Sequence, residues 1–212
     1  MAIILYTKGV IIFDLDGTIV DTKKGIIEAL NFVLCSYGMQ KIRREDEWDY
    51  IGPSVYDSFK NKMGFSEDKA KEATFLYRKN YIEKNIYNFE LYHGVKEVLL
   101  ELKKRGYILG IATMKTKKQV EKLFELANLI DFFDIIKYAL DDGSYKKYQM
   151  LLDIKKHYQC EYYYMIGDTI GDYNAAKDAE IQFVFANYGY GSLEEFFGLQ
   201  ANNCFDYLKI FE

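Results

Sequence analysis

Residues 9–18 read Gly9-Val-Ile-Ile-Phe13-Asp14-Leu15-Asp16-Gly17-Thr18, an apolar run that stops on two aspartates, a glycine and a threonine. Five residues without a polar side chain, β-branched at their centre, suit a strand covered on both faces. The polar residues then fall at the strand's carboxyl end, where open α/β sheets bind their ligands. Working outward, similar runs recur at 107–112, 133–136, 162–166 and 181–186. Helical patterns separate them at 95–105, 117–127, 148–157 and 170–179. This alternation predicts right-handed βαβ units and an α/β fold with a Rossmann-like, doubly wound parallel sheet.

One interval breaks the rhythm. Between residues 22 and 89 only helical patterns occur, at 25–37, 54–63 and 66–87. Such a stretch is too long for a crossover and too ordered for a linker. The expected organisation is a catalytic core over 1–20 and 90–212, with an inserted α-helical cap domain over 21–89.

Composition narrows the partners. The chain has 212 residues, 50% of them hydrophobic, with 28 basic against 32 acidic residues and a net charge of −4. A chain of this length buries about 70% of its unfolded surface and needs no staple. Without a basic surface, a nucleic-acid partner is disfavoured. Cys35, Cys160 and Cys204 form no CxxC pair, which argues against a disulfide framework or zinc ribbon; they read as small buried hydrophobes. The first residues lack the basic start of a signal peptide, and no apolar run reaches the length of a membrane span. The expected location is cytoplasmic, with no membrane partner; the oligomeric state stays open.

Three polar clusters sit where predicted strands end: Asp14-Leu-Asp16-Gly17-Thr18, Thr113-Met114-Lys115, and Gly167-Asp168-Thr-Ile-Gly-Asp172. Asp14, Asp16, Asp168 and Asp172 would gather around one crevice, and carboxylates that close need a proton, a cation or basic partners. Oxygen ligands in an incomplete cage suit Mg²⁺, which keeps waters and binds phosphate. A phosphate there also needs donors: the Thr113 hydroxyl, backbone N–H groups and a lysine. The chemistry that follows is phosphoryl transfer to Asp14, with Asp16 as general acid and then general base. Gly17 would let the chain turn with its N–H exposed to phosphate.

Rival patterns fail on spacing. A Ca²⁺ loop has its glycine sixth, whereas Gly17 is fourth from Asp14. Gly189-Tyr-Gly191 lacks the third glycine of a dinucleotide fingerprint, and no GxxxxGK[ST] loop occurs. The two histidines, His93 and His157, are too few for a histidine-rich metal site, and no GxSxG elbow is present. Taken alone, Asp168 would read as the N-cap of a helix starting near Ile170, and Thr113 as a strand-end hydroxyl.

Phe13-Asp-Leu-Asp-Gly-Thr18 and Gly167-Asp-Thr-Ile-Gly-Asp172 resemble the first and fourth motifs of the haloacid dehalogenase superfamily of phosphohydrolases, with Thr113 at the second. The likeness spans the chain and is nearest the phosphoglycolate phosphatase-like branch. Val20-Asp-Thr22, Ile51-Gly-Pro-Ser54, Ser58-Phe59, Tyr77-Arg78 and Asn187-Tyr-Gly-Tyr-Gly-Ser192 add to it. The resemblance implies Asp14 as nucleophile and Asp16 as acid/base. It implies a metal held by Asp14, the backbone carbonyl of Asp16, and Asp168, with Asp172 in support. Gly17, Thr113 and Met114 would meet the phosphate, Met114 through its backbone N–H.

The third motif is a lysine in such proteins, and here the segment is Asp142-Gly-Ser-Tyr-Lys146-Lys147. Helical spacing to Met150 and Leu151 favours Lys147 over Lys146. Tyr92-His93-Gly94 stands where relatives carry Tyr-Pro-Gly. Lys115, Lys117 and Lys118 read as a solvated face, and Arg43, Arg44 and Arg78 as surface charges, Arg78 being the best placed to meet an anion. The expected function is Mg²⁺-dependent hydrolysis of a small phosphorylated metabolite such as phosphoglycolate, a sugar phosphate or a nucleoside monophosphate. A phosphomutase, a pyrophosphatase and a non-catalytic binding or regulatory protein are the alternatives.

Overall fold

Residues Gly9–Phe13 form β1, and all five are buried. The computed structural model describes residues 7–212 apart from 53, 142, 194 and 195; Pro53 and Asp142, quoted above, lie outside the described residues. β1 pairs in parallel with β4 (Tyr107–Thr116) on one side and β6 (Tyr163–Gly167) on the other. Beyond these come β5 (Ile135–Ala139), β7 (Gln182–Ala186) and the short β8 (Leu199–Ala201). Among the described residues the sheet order is β5-β4-β1-β6-β7-β8, with every pairing parallel. The chain builds outward from β1 through β4 and β5, then returns to start again at β6. The winding therefore reverses at β1, and crevices at such switch points hold ligands.

Alternation along β1 separates two cores. Ile11 and Phe13 face one side with residues of α4 (Val95–Lys104), α5 (Lys117–Ala127) and α8 (Tyr207–Ile210). Val10 and Ile12 face the other, against α6 (Lys147–Tyr158) and α7 (Ile170–Asp178). A central strand sandwiched in this way has no polar face, which is why its sequence reads as one continuous apolar run.

Between β1 and β4 lie α1 (Lys23–Ser36), α2 (Val55–Asp57) and α3 (Glu67–Asn80). The helix pattern predicted over 54–63 is broken: α2 passes into a π-helical turn, Ser58–Lys62. A second π turn, Tyr81–Asn85, ends α3. α1 buries Ile26, Ile27, Leu30, Val33 and Leu34, a stripe at helical spacing. Gly25 sits where a Cβ would strike the Asn85 carbonyl, so α1 and the second π turn can lie against each other. The chain leaves and re-enters the sheet through a two-residue antiparallel ribbon, β2 (Val20–Asp21) with β3 (Glu90–Leu91), which sequence periodicity did not predict. Two residues per strand are too few to carry a period.

Cys204 is buried as expected, whereas Cys35 is exposed; it falls off the apolar stripe of α1. Among the described residues no helix is long and apolar enough to cross a membrane.

Candidate active site

Asp14 follows β1 directly, and its N–H donates to the Ile166 carbonyl at 2.8 Å, extending the pairing to β6. The chain then turns back on itself. The Leu15 carbonyl accepts from the N–H groups of Ile19 and Val20, both at 3.0 Å. Gly17 adopts φ +76°, and a Cβ there would run into the Asp168 carboxylate. Both the turn and the close approach require a glycine.

Asp168 directly follows β6 and is fully buried. It is not the helix cap that its position alone would predict. Thr169 caps α7: its hydroxyl accepts from the Asp172 N–H at 3.3 Å, while Asp172 Oδ2 accepts from the Thr169 N–H and hydroxyl at 3.0 and 2.7 Å. This reciprocal capping box fixes Asp172. Asp168 is left to face the crevice, where its Oδ2 accepts the Tyr190 N–H at 2.7 Å and its Oδ1 the Thr18 hydroxyl at 3.3 Å.

Asp14, Asp168 and Asp172 each offer an oxygen within 4.8 Å of the other two, and all three are buried. Lys147, the first residue of α6, brings its Nζ to 2.8 Å from Asp14 Oδ1 and also pairs with Asp172 Oδ1. Lys146 is exposed, so the lysine chosen by helical spacing is the one that meets the carboxylates. Thr113 is buried, and its hydroxyl accepts from the Lys115 N–H at 3.2 Å. The β4–β5 register shifts between Thr113 and Thr116, a bulge that carries Met114. Bulges beside active sites re-aim the chain in this manner.

Asp16 stands apart from the three-carboxylate group. Its Oδ1 pairs with the Lys115 Nζ at 2.8 Å and accepts from the Thr22 hydroxyl. Thr22 occupies the N-cap of α1 but gives that helix no side-chain cap, its hydroxyl being spent on Asp16.

Lys115 corrects the sequence reading. It is 6% exposed, not part of a solvated face, because Asp16 meets its charge and the Tyr81 ring lies 4.7 Å from its Nζ. The signal available was its place at the carboxyl end of a predicted strand, beside Thr113. Lys117 does lie on an exposed face, paired with Glu121. Arg78 binds the Asp141 backbone carbonyl at 2.6 Å, tying α3 to the segment before α6. Arg43 pairs with Glu45 and Asp46 on the surface. Tyr190 was quoted only as part of a family segment, yet it contacts Asp168 and the start of α1.

The electrostatics follow from this crowding. Burial pushes the Asp14 carboxyl up to about 7 against the opposing pull of Lys147, with Asp172 and Asp16 adding to the rise. Burial and then the charges of Asp172 and Asp14 hold Asp168 well above the usual carboxylate range. Burial would push Lys115 down, yet Asp16 and the two tyrosines Tyr81 and Tyr77 keep it above the ordinary lysine range. Acids held this reluctant to ionise fit a hard cation that would offset their charge, and an all-oxygen donor set matches Mg²⁺ chemistry. Asp14, Asp168 and Asp172 are the carboxylates that could hold such an ion.

A profile of the haloacid dehalogenase-like hydrolases matches residues 11–186, most of the chain. The protein belongs to this family. Among curated relatives, the pyrophosphatase PpaX of Bacillus thuringiensis (strain Al Hakam) is 33% identical over 193 residues, covering 85% of this chain and 86% of that protein. The crystal structure of a predicted phosphatase from Clostridium acetobutylicum superposes with a TM-score of 0.89 at 26% identity, covering 96% and 98% of the two chains. A haloacid dehalogenase-like family hydrolase from Streptococcus pneumoniae gives 0.86 at 26%, covering 97% and 99%. The chain is therefore a haloacid dehalogenase-like hydrolase, and its Rossmann-like core is the fold of that family's phosphatases.

Proposed function

We propose that this hydrolase is a Mg²⁺-dependent phosphatase that cleaves a small phosphorylated metabolite through an aspartyl-phosphate at Asp14. The observation that carries this reading is a buried carboxylate at the switch point of the sheet, 2.8 Å from Lys147 and within metal-ligand distance of Asp168. Asp14 and Asp168, with the Asp16 backbone carbonyl, would hold Mg²⁺. Bound there, the ion would offset repulsion between carboxylates and phosphoryl oxygens.

The chain's own residues divide the work. An Asp14 oxygen attacks phosphorus as the bond to the leaving-group oxygen breaks, and Asp16 gives that oxygen a proton. Asp16 then takes a proton from a water whose oxygen attacks phosphorus, and the Asp14–phosphorus bond breaks to release phosphate. The Lys147 ammonium, the Thr113 hydroxyl and the N–H groups of Gly17 and Met114 would hold phosphoryl oxygens. Asp172 is a positioning residue, acting through Lys147.

Residues 21–89 would serve as a cap over a core formed by 1–20 and 90–212, closing to exclude water. Contacts from the helical insert to Lys115, Tyr190 and Asp141 support that role. Pyrophosphate is a second candidate substrate, favoured by the 33% identity to PpaX. Release of nitrophenol from p-nitrophenyl phosphate tests the reading: activity should need Mg²⁺, vanish with EDTA and vanish in Asp14→Asn. Wild-type protein inert toward phosphate esters and pyrophosphate would overturn it.

A further inference from the structure

We propose that Lys115 selects substrates whose leaving group is small and carries its own negative charge. The inference rests on the phosphatase reading and narrows its substrate class, away from neutral sugars and nucleosides.

Two lysines, Lys115 buried and Lys147 partly buried, flank the aspartates, and they divide by side. Lys147 serves Asp14 and Asp172. Lys115 instead pairs with Asp16, away from the three-carboxylate group, with its Nζ 2.8 Å from Asp16 Oδ1. In the proposed reaction Asp16 hands its proton to the leaving-group oxygen, so that oxygen must come within hydrogen-bond reach of the same carboxylate. The Lys115 ammonium then lies about two hydrogen-bond lengths from the departing atom. It has three donors, of which one goes to Asp16 and one to the Tyr81 phenol, leaving a third for a ligand.

The walls around Lys115 set both polarity and size. Tyr81 is fully buried with its ring centroid 4.7 Å from the ammonium, and it stacks on Tyr77 at 5.7 Å with an interplanar angle of 18°. Tyr81 also opens the π turn, the kind of helical irregularity that gathers at functional sites. Asp16 answers the buried ammonium in the structure. Once Asp16 carries the proton it hands to the leaving group, that charge loses its partner, which is costly beside aromatic neighbours unless another anion answers it. A carboxylate or phosphate on the leaving group would do so through a charge-assisted hydrogen bond, roughly twice as strong as the neutral bond of a hydroxyl. Bulk is limited because the stacked tyrosines come from the insert, which Arg78 ties down to the Asp141 carbonyl.

The test compares two esters of equal length, 2-phosphoglycolate with an anionic leaving group and 2-hydroxyethyl phosphate with a neutral one. Wild-type protein with Mg²⁺ should favour the first in kcat/KM by about tenfold or more, the scale on which a site built for one polar contact rejects its absence. Lys115→Met should bring that ratio near one, whereas Lys115→Arg, which keeps the charge, should retain a preference. A parallel fall on both esters in Lys115→Met would mean that Lys115 only steadies Asp16, and the proposal would be wrong. A wild-type ratio near one overturns it without any variant while leaving the phosphatase reading intact. Activity on p-nitrophenyl phosphate but on neither ester also overturns it alone. Inertness toward all of these substrates and pyrophosphate removes both readings.

Discussion

Tyr190 accepts a hydrogen bond from the Thr22 N–H at 2.6 Å on its phenol oxygen, while its own N–H donates to Asp168 at 2.7 Å. The same phenol oxygen accepts from the Lys23 N–H at 3.1 Å and donates to Asp21 at 3.0 Å. One residue, through its backbone N–H and its phenol, thus joins the carboxyl end of β6 to the place where the helical insert begins. It also supplements what Thr22 withholds: the Thr22 hydroxyl turns to Asp16 and gives α1 no side-chain cap, and the Lys23 N–H is shared between Asp21 Oδ1 at 3.0 Å and the Tyr190 phenol.

Tyr190→Phe removes that acceptor while keeping the ring and the backbone bond to Asp168. The Thr22 N–H then loses its partner while the Lys23 N–H keeps Asp21 Oδ1 at 3.0 Å, at a cost of about 1–3 kcal/mol. Urea denaturation should show a lower midpoint. An unchanged midpoint would mean that water replaces the phenol without loss.

Lys147→Met should lower kcat/KM by about 10²–10³-fold, the usual effect of losing one donor at a reacting centre. Lys146→Met, at an exposed neighbour, should stay within about twofold of wild type. Equal losses in the two variants would contradict the assignment of the phosphate lysine.

Gly17→Ala combines a positive φ with a clash against the Asp168 carboxylate. A destabilisation of about 1–3 kcal/mol is expected. Because Asp168 must shift, Mg²⁺ affinity measured by calorimetry should fall as well. A variant that melts lower yet binds Mg²⁺ normally would remove Asp168 from the metal site.

The metal-free protein should show a pH signature from Asp14. Its carboxyl is raised from 3.8 to about 7 in the folded state, so between those values the folded chain binds more protons than the unfolded one. The stabilisation from this group is complete below the unfolded value and is lost as pH rises through about 7. Without divalent cations, the melting temperature of wild type relative to Asp14→Asn should therefore drop across this window. Added Mg²⁺ should restore it at neutral pH by binding the folded state alone. A difference that stays flat with pH would show that Asp14 is not held in this way.

Much of the fold is legible along the chain because the central strand is buried on both faces. Gly9–Phe13 begins and ends as its apolar run does, and α5 spans the predicted 117–127. Lys147 could be preferred over Lys146 because a helix places residues three and four apart on one face, and Met150 and Leu151 are buried. Local chemistry misled at Lys115, where the solvated-face reading missed a carboxylate partner far along the chain. Placement after an apolar run favours Asp168 as a site residue over a helix cap, and Thr169 and Asp172 do satisfy that helix end between them.

The sequence by itself determined the parallel α/β core, the helical insert and the aspartates at the strand ends, since hydrophobic periodicity and strand polarity are local properties. Only the tertiary structure decided how the charges pair. Lys115 is buried because Asp16, ninety-nine positions earlier, and Tyr81 in the insert both reach it. Tyr190 matters because it meets Thr22 and Asp168 at once. Whether a charged side chain lies in water or in the interior depends on its partners in space, and chain order does not record them.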